Sequence, residues 1–131
     1  MPMTLKFPSQ LTYVKEASKK VLDSLRDLKL NASELTDIRL CFEEAFINAV
    51  KYGNQHNKDL DVEVEVVKSP AVIELTVRDQ GKGFDYKNYE DPTEEKNLTK
   101  THGRGVFLIK KLMDEVTFEN NGSTIRMKKS I

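Results

Sequence analysis

The chain has 131 residues, with 21 Lys and Arg offset by 21 Asp and Glu. At that length one core is expected, so residues 1–131 read as a single domain. The balanced charge and the lack of a basic run exclude a phosphate-backbone binder. No apolar run approaches the roughly 20 residues that span a bilayer, and no signal-peptide pattern is visible. A lone cysteine, Cys41, excludes an internal disulfide, so a cytoplasmic, reducing location is expected.

Residues 10–30 place Leu11, Val14, Ala17, Val21, Leu25 and Leu28 at spacings of three and four, predicting an amphipathic helix with Ser9 as its N-cap. A second helix is predicted from about Ser33 to Tyr52, capped by Asn31 or Ser33 and stopped at Gly53-Asn54. Its core stripe is Leu35, Ile38, Phe42, Ala45, Phe46 and Ala49. Glu44 and Asn48 lie roughly opposite, one turn apart, flanked by Leu40 and Ile47 on one side and Cys41 and Ala45 on the other. A helix apolar on more than one face is covered on both, so Glu44 and Asn48 are expected to face a partly enclosed space.

Two strands follow, 60–67 and 72–78, each alternating apolar and polar residues around a turn at Ser69-Pro70. The second runs into Asp79-Gln80-Gly81-Lys82-Gly83-Phe84. Residues 85–103 are polar and aperiodic, as a lid or binding loop would be. His102-Gly103-Arg104-Gly105-Val106 then opens a helix over about 105–114, and a hairpin (116–119 and 124–128) turns at Asn120-Asn121-Gly122. This order predicts an α+β two-layer sandwich, with a mixed, mostly antiparallel sheet and helices on one face.

Three local patterns carry chemistry. On the second helix, Glu44 can accept a proton, the Asn48 amide oxygen is a hard ligand suited to Mg²⁺, and Lys51 can meet a phosphate. At the strand end, Asp79 can accept from an exocyclic amine such as that of adenine, with Gly81 and Gly83 permitting close approach; a plain Asx turn is the competing reading. At the third helix, Gly103 and Gly105 before an N-terminus, with Arg104, suit an anion. No Gly-Lys-Ser/Thr follows, so this is not a Walker loop.

Taken in order, these patterns resemble the GHKL (Bergerat) ATP-binding superfamily, and most closely its anti-sigma-factor serine kinases. The segment from Gly105 to Val116 is similar to the one that follows that family's second glycine box. The resemblance implies ATP and Mg²⁺ as cofactors. It makes Glu44 the general base for a protein Ser or Thr hydroxyl and Asn48 the Mg²⁺ ligand. Asp79 would read the adenine amine beside Gly81, Gly83 and Phe84, while Gly103, Arg104, Gly105 and Val106 would hold phosphates. A lid over 85–102 would close on ATP, with Lys96 and Lys100 as possible phosphate contacts. It implies a sigma factor and an anti-sigma-factor antagonist as protein partners, and a homodimer. Asn48-Ala49-Val50-Lys51-Tyr52 departs toward the histidine-kinase version, in which Lys51 meets phosphate and Tyr52 lies by the adenine; the anti-sigma kinases often carry His at the latter place. A histidine kinase also requires a phosphoacceptor helix pair, for which this chain has no segment. His102 reads as a lid residue and Cys41 as packed. The alternative functions are a nucleotide-gated anti-sigma module without turnover, which would have no need of Glu44, and a purely structural interaction domain.

Overall fold

The structure, a computed structural model, describes residues 2–81 and 101–131, with only the backbone described at 101–104 and 121. Lys82, Gly83, Phe84, Lys96, Lys100 and the expected lid up to residue 100 lie outside the described residues, as do the side chains of His102 and Arg104.

The chain begins with a strand that the sequence reading did not anticipate, β1 (Met3–Pro8). A single 3₁₀ turn (Leu11–Tyr13) leads into α1 (Val14–Ser24), and α2 runs over Ala32–Asn48. After a π-turn (Ala49–Gly53) come β2 (Asp61–Lys68), β3 (Val72–Arg78), α3 (Thr101–Leu112), β4 (Glu115–Glu119) and β5 (Thr124–Ser130). The sheet order is β1-β2-β3-β5-β4, and among the described residues every pairing is antiparallel, where a mixed sheet is expected from the sequence.

Alternation places Val62, Val64 and Val66 of β2, Ile73, Leu75 and Val77 of β3, and Ile125 and Met127 of β5 on one buried face. The helices cover that face with Ala17, Val21, Ile38, Phe42, Ala45, Phe46 and Ile109. Phe46 meets Phe7 edge-on, with ring centroids 5.9 Å apart, and so locks β1 to α2. The opposite face is polar. The result is the two-layer sandwich that the alternating strands predict.

Several local expectations are corrected. Ser9 does not cap α1; it is buried, and its N–H donates to the Leu60 carbonyl. The first helix closes at Ser24, well before residue 30, because turns take over from Leu25. The α2 cap is Asn31, in a reciprocal capping box with Glu34. Leu35, read as core, is 36% exposed. The second helix is α-helical only to Asn48, and its last turn widens to π spacing. The third helix starts at Thr101, so Gly103 and Gly105 lie inside it instead of before its N-terminus. Packing of α3 on α2 overrides the weak helix propensity of glycine here.

Candidate functional site

The helix α2 presents Glu44 and Asn48 one turn apart, both half-buried. The side chain that covers them is the missing one of Gly105. A Cβ there would stand 2.9 Å from Glu44 Oε2, 3.1 Å from Asn48 Nδ2 and 3.5 Å from Asn48 Oδ1. Glycine therefore lets α3 approach α2 at the polar stripe, where Glu44 and Asn48 are half-buried. Burial raises the pKa of Glu44, Lys51 opposes the rise, and Glu43 adds to it.

Asn48 also lines a cavity of about 20 Å³ between α2 and the sheet, room for about one water. Ala45 of α2, Ala49 of the π-turn, Val77 of β3 and Ile125 of β5 supply its apolar wall. Asp79 closes it from the end of β3. Two of the three patterns thus line one cavity, and the third abuts Asn48 from α3.

Asp79 is held by backbone on both sides. Its N–H donates to the Ser123 carbonyl (2.8 Å), and its Oδ1 accepts from the Gly81 N–H (2.9 Å). The Asx turn expected as the competing reading is therefore present, and the same residue also lines the cavity. Burial pushes the Asp79 carboxyl from its ordinary 3.8 up to about 6, against the lowering by the Gly81 N–H. Gly53 makes the carboxylate's position possible, because a Cβ on it would collide with the Asp79 carboxyl group. Gly81 packs just as tightly, with its own Cβ direction filled by the Gly53 carbonyl. The close approach expected at Gly81 is thus made by the protein's own backbone.

The other expected residues divide between two places. Lys51 acts electrostatically on Glu44, and its Nζ lies 5.7 Å from the Tyr52 ring centroid. Tyr52 lines a separate groove with Gly53, Asn54, Gln80 and Gly81, whereas Asn48 lines the small cavity. Val106 is buried, so its side chain packs and does not line the site. Burial pushes the Cys41 thiol up to about 12, as befits a packed residue. In the sequence Gly53 and Asn54 read only as a helix stop. The available signal was a Gly-Asn pair closing a helix that carries Glu44 and Asn48.

The fold is that of an α+β two-layer module with a half-buried polar stripe on α2. The chain belongs to the histidine kinase-like ATPase domain family, whose model matches residues 7–129. It is 35% identical over 104 residues to the anti-sigma F factor of Geobacillus kaustophilus (strain HTA426), covering 75% of this chain and 70% of that protein. With the anti-sigma F factor of Geobacillus stearothermophilus it shares 31% identity over 134 residues, 98% of this chain and 91% of that one. With the serine-protein kinase RsbW of Staphylococcus aureus (strain MW2) it shares 32% over 108 residues, 75% of this chain and 67% of that one. Its fold is similar to a crystal structure of the RsbU and RsbW domains of Rv1364c from Mycobacterium tuberculosis. The TM-score is 0.63 at 14% identity, over 99% of this chain and 32% of that one. Among the described residues, no helix is long and apolar enough to cross a membrane.

Proposed function

We propose that residues 1–131 form one ATP-dependent protein serine/threonine kinase domain that is also an anti-sigma factor. It phosphorylates an anti-sigma-factor antagonist and sequesters a sigma factor, exchanging one partner for the other, as a cytoplasmic homodimer without a direct nucleic-acid role. Its anti-sigma F factor and serine-protein kinase relatives support the partner class. The observation that carries the chemistry is the meeting of Glu44, Asn48 and Gly105, with Asn48 sharing a cavity with Asp79.

The donor set suits Mg²⁺. It offers the hard amide oxygen of Asn48 on the half-buried polar stripe of α2. An ion that keeps its waters and takes its remaining ligands from phosphates asks for no more protein than that. Asn48 Oδ1 would hold Mg²⁺, which when bound would neutralise charge between the phosphates.

The other roles belong to the chain's own groups. The Asp79 carboxylate accepts from the adenine amine, and the family resemblance assigns Gly83 and Phe84 to nucleotide binding as well. Tyr52 borders it beyond Gly53. Lys51 and Arg104 supply positive charge to phosphates, with Gly103, Gly105 and Val106 as the backbone of that approach. Glu44 accepts the proton of the substrate Ser or Thr hydroxyl as the hydroxyl oxygen bonds to the γ-phosphorus and the bond from that phosphorus to the β–γ bridging oxygen breaks, releasing ADP. Burial raises the carboxylate's proton affinity, which suits a base, and Lys51 opposes that rise. Phosphoryl transfer depends mostly on positioning and charge stabilisation, so one carboxylate in a small site suffices.

The test is transfer of ³²P from γ-labelled ATP, with Mg²⁺, to the partner that co-purifies with the protein. Glu44→Gln is expected to slow labelling by about 10²–10⁴-fold while leaving ATP binding near wild type. Normal labelling by that variant would remove Glu44 from the base role. Binding of ATP by the wild type with no labelled partner would favour the anti-sigma module without turnover.

A further inference from the structure

Asn54, which none of the roles above uses, is one of the most connected side chains near the site. It follows Gly53 directly and is only 2% exposed. Its Nδ2 donates to Ser9 Oγ at the end of β1 and to the Asp61 carbonyl at the start of β2 (3.0 Å). Its Oδ1 accepts from the Gln80 N–H (2.7 Å), the amide next to Asp79. Asn54's own N–H donates back to the Ala49 carbonyl across the π-turn (2.8 Å). Gln80 closes the circuit, its Oε1 accepting from the Asp61 N–H.

One buried amide therefore fastens the end of α2, the ends of two strands and the turn that carries Asp79. The Asp79 N–H is tied to Ser123 and the Gln80 N–H to Asn54, so the peptides before and after Asp79 are both pinned. The Asp79 carboxylate is oriented by the Gly81 N–H, two residues on, within that same pinned turn. The site for Asn54 needs two donors and one acceptor in one short planar group. Aspartate lacks the donors, leucine lacks all three, and serine is too short to reach both sides.

We infer that Asn54 is a positioning residue for base recognition: it holds the Asp79–Gly81 turn so that the Asp79 carboxylate faces the 6-amine of a purine, and thereby sets adenine specificity. This rests on the reading of Asp79 as the adenine acceptor. Truncating Asn54 leaves the Gln80 N–H and the Asp61 carbonyl without their partner, and the turn gains freedom to rotate the carboxylate away. A merely structural residue would weaken every nucleotide alike. A positioning residue weakens only those whose base offers the amine.

The experiment is calorimetric titration of the full chain with Mg²⁺·ATP and with Mg²⁺·ITP, whose 6-position carries oxygen in place of the amine. The proteins are wild type, Asn54→Ala, Ser9→Ala and Asp79→Asn. The wild type is expected to prefer ATP by about tenfold or more, and Asp79→Asn to erase the preference. Asn54→Ala is expected to lose about tenfold for ATP and less than about twofold for ITP. Ser9→Ala removes one acceptor of Nδ2 and leaves Gln80 tied, so it should lose less in the same direction; it decides the matter if Asn54→Ala fails to fold. Equal losses for ATP and ITP, or no loss for either in a folded variant, overturn the inference while leaving Asp79 its role. A wild type that does not distinguish ATP from ITP overturns the Asp79 reading, and the inference with it.

Discussion

The two ends of β3 and its two faces treat carboxylates in opposite ways. On the open face of the sheet, Glu74 pairs with Arg126 (3.3 Å) and Lys128 (3.9 Å), Glu119 pairs with Arg126 (2.7 Å), and Glu63 pairs with Arg78 (2.9 Å). The Arg126 hydrogen bond holds the Glu119 carboxyl below its ordinary range. At the end of the same strand, Asp79 is met by a backbone N–H and by burial, and its pKa goes up to about 6. Glu44 also goes up, through burial first. The solvated face neutralises its acids with cations held in place by the strand register. The helix-covered end keeps two acids desolvated and available. That is the arrangement from which chemistry or recognition is expected, because a desolvated carboxylate gains more from a new donor than one already paired.

The contrast can be broken most severely at Asp79. Replacing it with Asn presents an amide where a carboxylate accepted, and ATP affinity is expected to fall about 10- to 100-fold by calorimetry. Gly53→Ala attacks the same group from behind. The new Cβ must displace the Asp79 carboxyl group, so the variant is expected to lose about 1–3 kcal/mol of stability in urea denaturation. It should also bind ATP as poorly as Asp79→Asn. Normal ATP binding by Gly53→Ala would show that the carboxylate's present position is not the one that matters.

Titration sharpens the comparison with a smaller effect. The folded pKa of Asp79 lies above its unfolded value, so its protonated form favours the fold. That contribution is complete below about pH 4 and is lost as pH rises through about 6. The melting temperature of the wild type relative to Asp79→Asn is therefore expected to fall between pH 4 and pH 7. Under the proposed adenine role, which uses the ionised carboxylate, ATP affinity should move the other way and improve as pH rises through about 6. An identical pH profile in the two proteins would contradict the shift. The smallest effect is expected on the open face. Arg126→Ala breaks partly exposed pairs, so it should cost at most about 1 kcal/mol and leave ATP binding unchanged.

Much of this was legible in the sequence because it is periodic or local. The alternation of Val62, Val64 and Val66 and of Ile73, Leu75 and Val77 marks β2 and β3, and the helical spacing of Glu44 and Asn48 marks the polar stripe of α2. Strand β1 escaped because six residues ending in proline carry little signal alone, and its pairing is with a partner some sixty residues on, as in Leu5 opposite Val64. The start of α3 was misjudged because two glycines read as a loop until α2 is known to pack against them. The roles of Gly53 and Asn54 are long-range by nature. Ser9 and Asn54 are 45 residues apart, and only the closed sheet brings them within hydrogen-bond reach.

The central claim is that Asn48, Asp79 and Gly105 serve one nucleotide. The most direct measurement is an NMR titration of ¹⁵N-labelled protein with ATP and Mg²⁺. The account predicts that the Asn48 side-chain amide and the backbone amides of Asp79, Gly81 and Gly105 shift together, with a single dissociation constant, while Arg126 and Thr117 on the open face stay still. Shifts confined to the open face, or amides of these residues that respond with unrelated affinities, would contradict it.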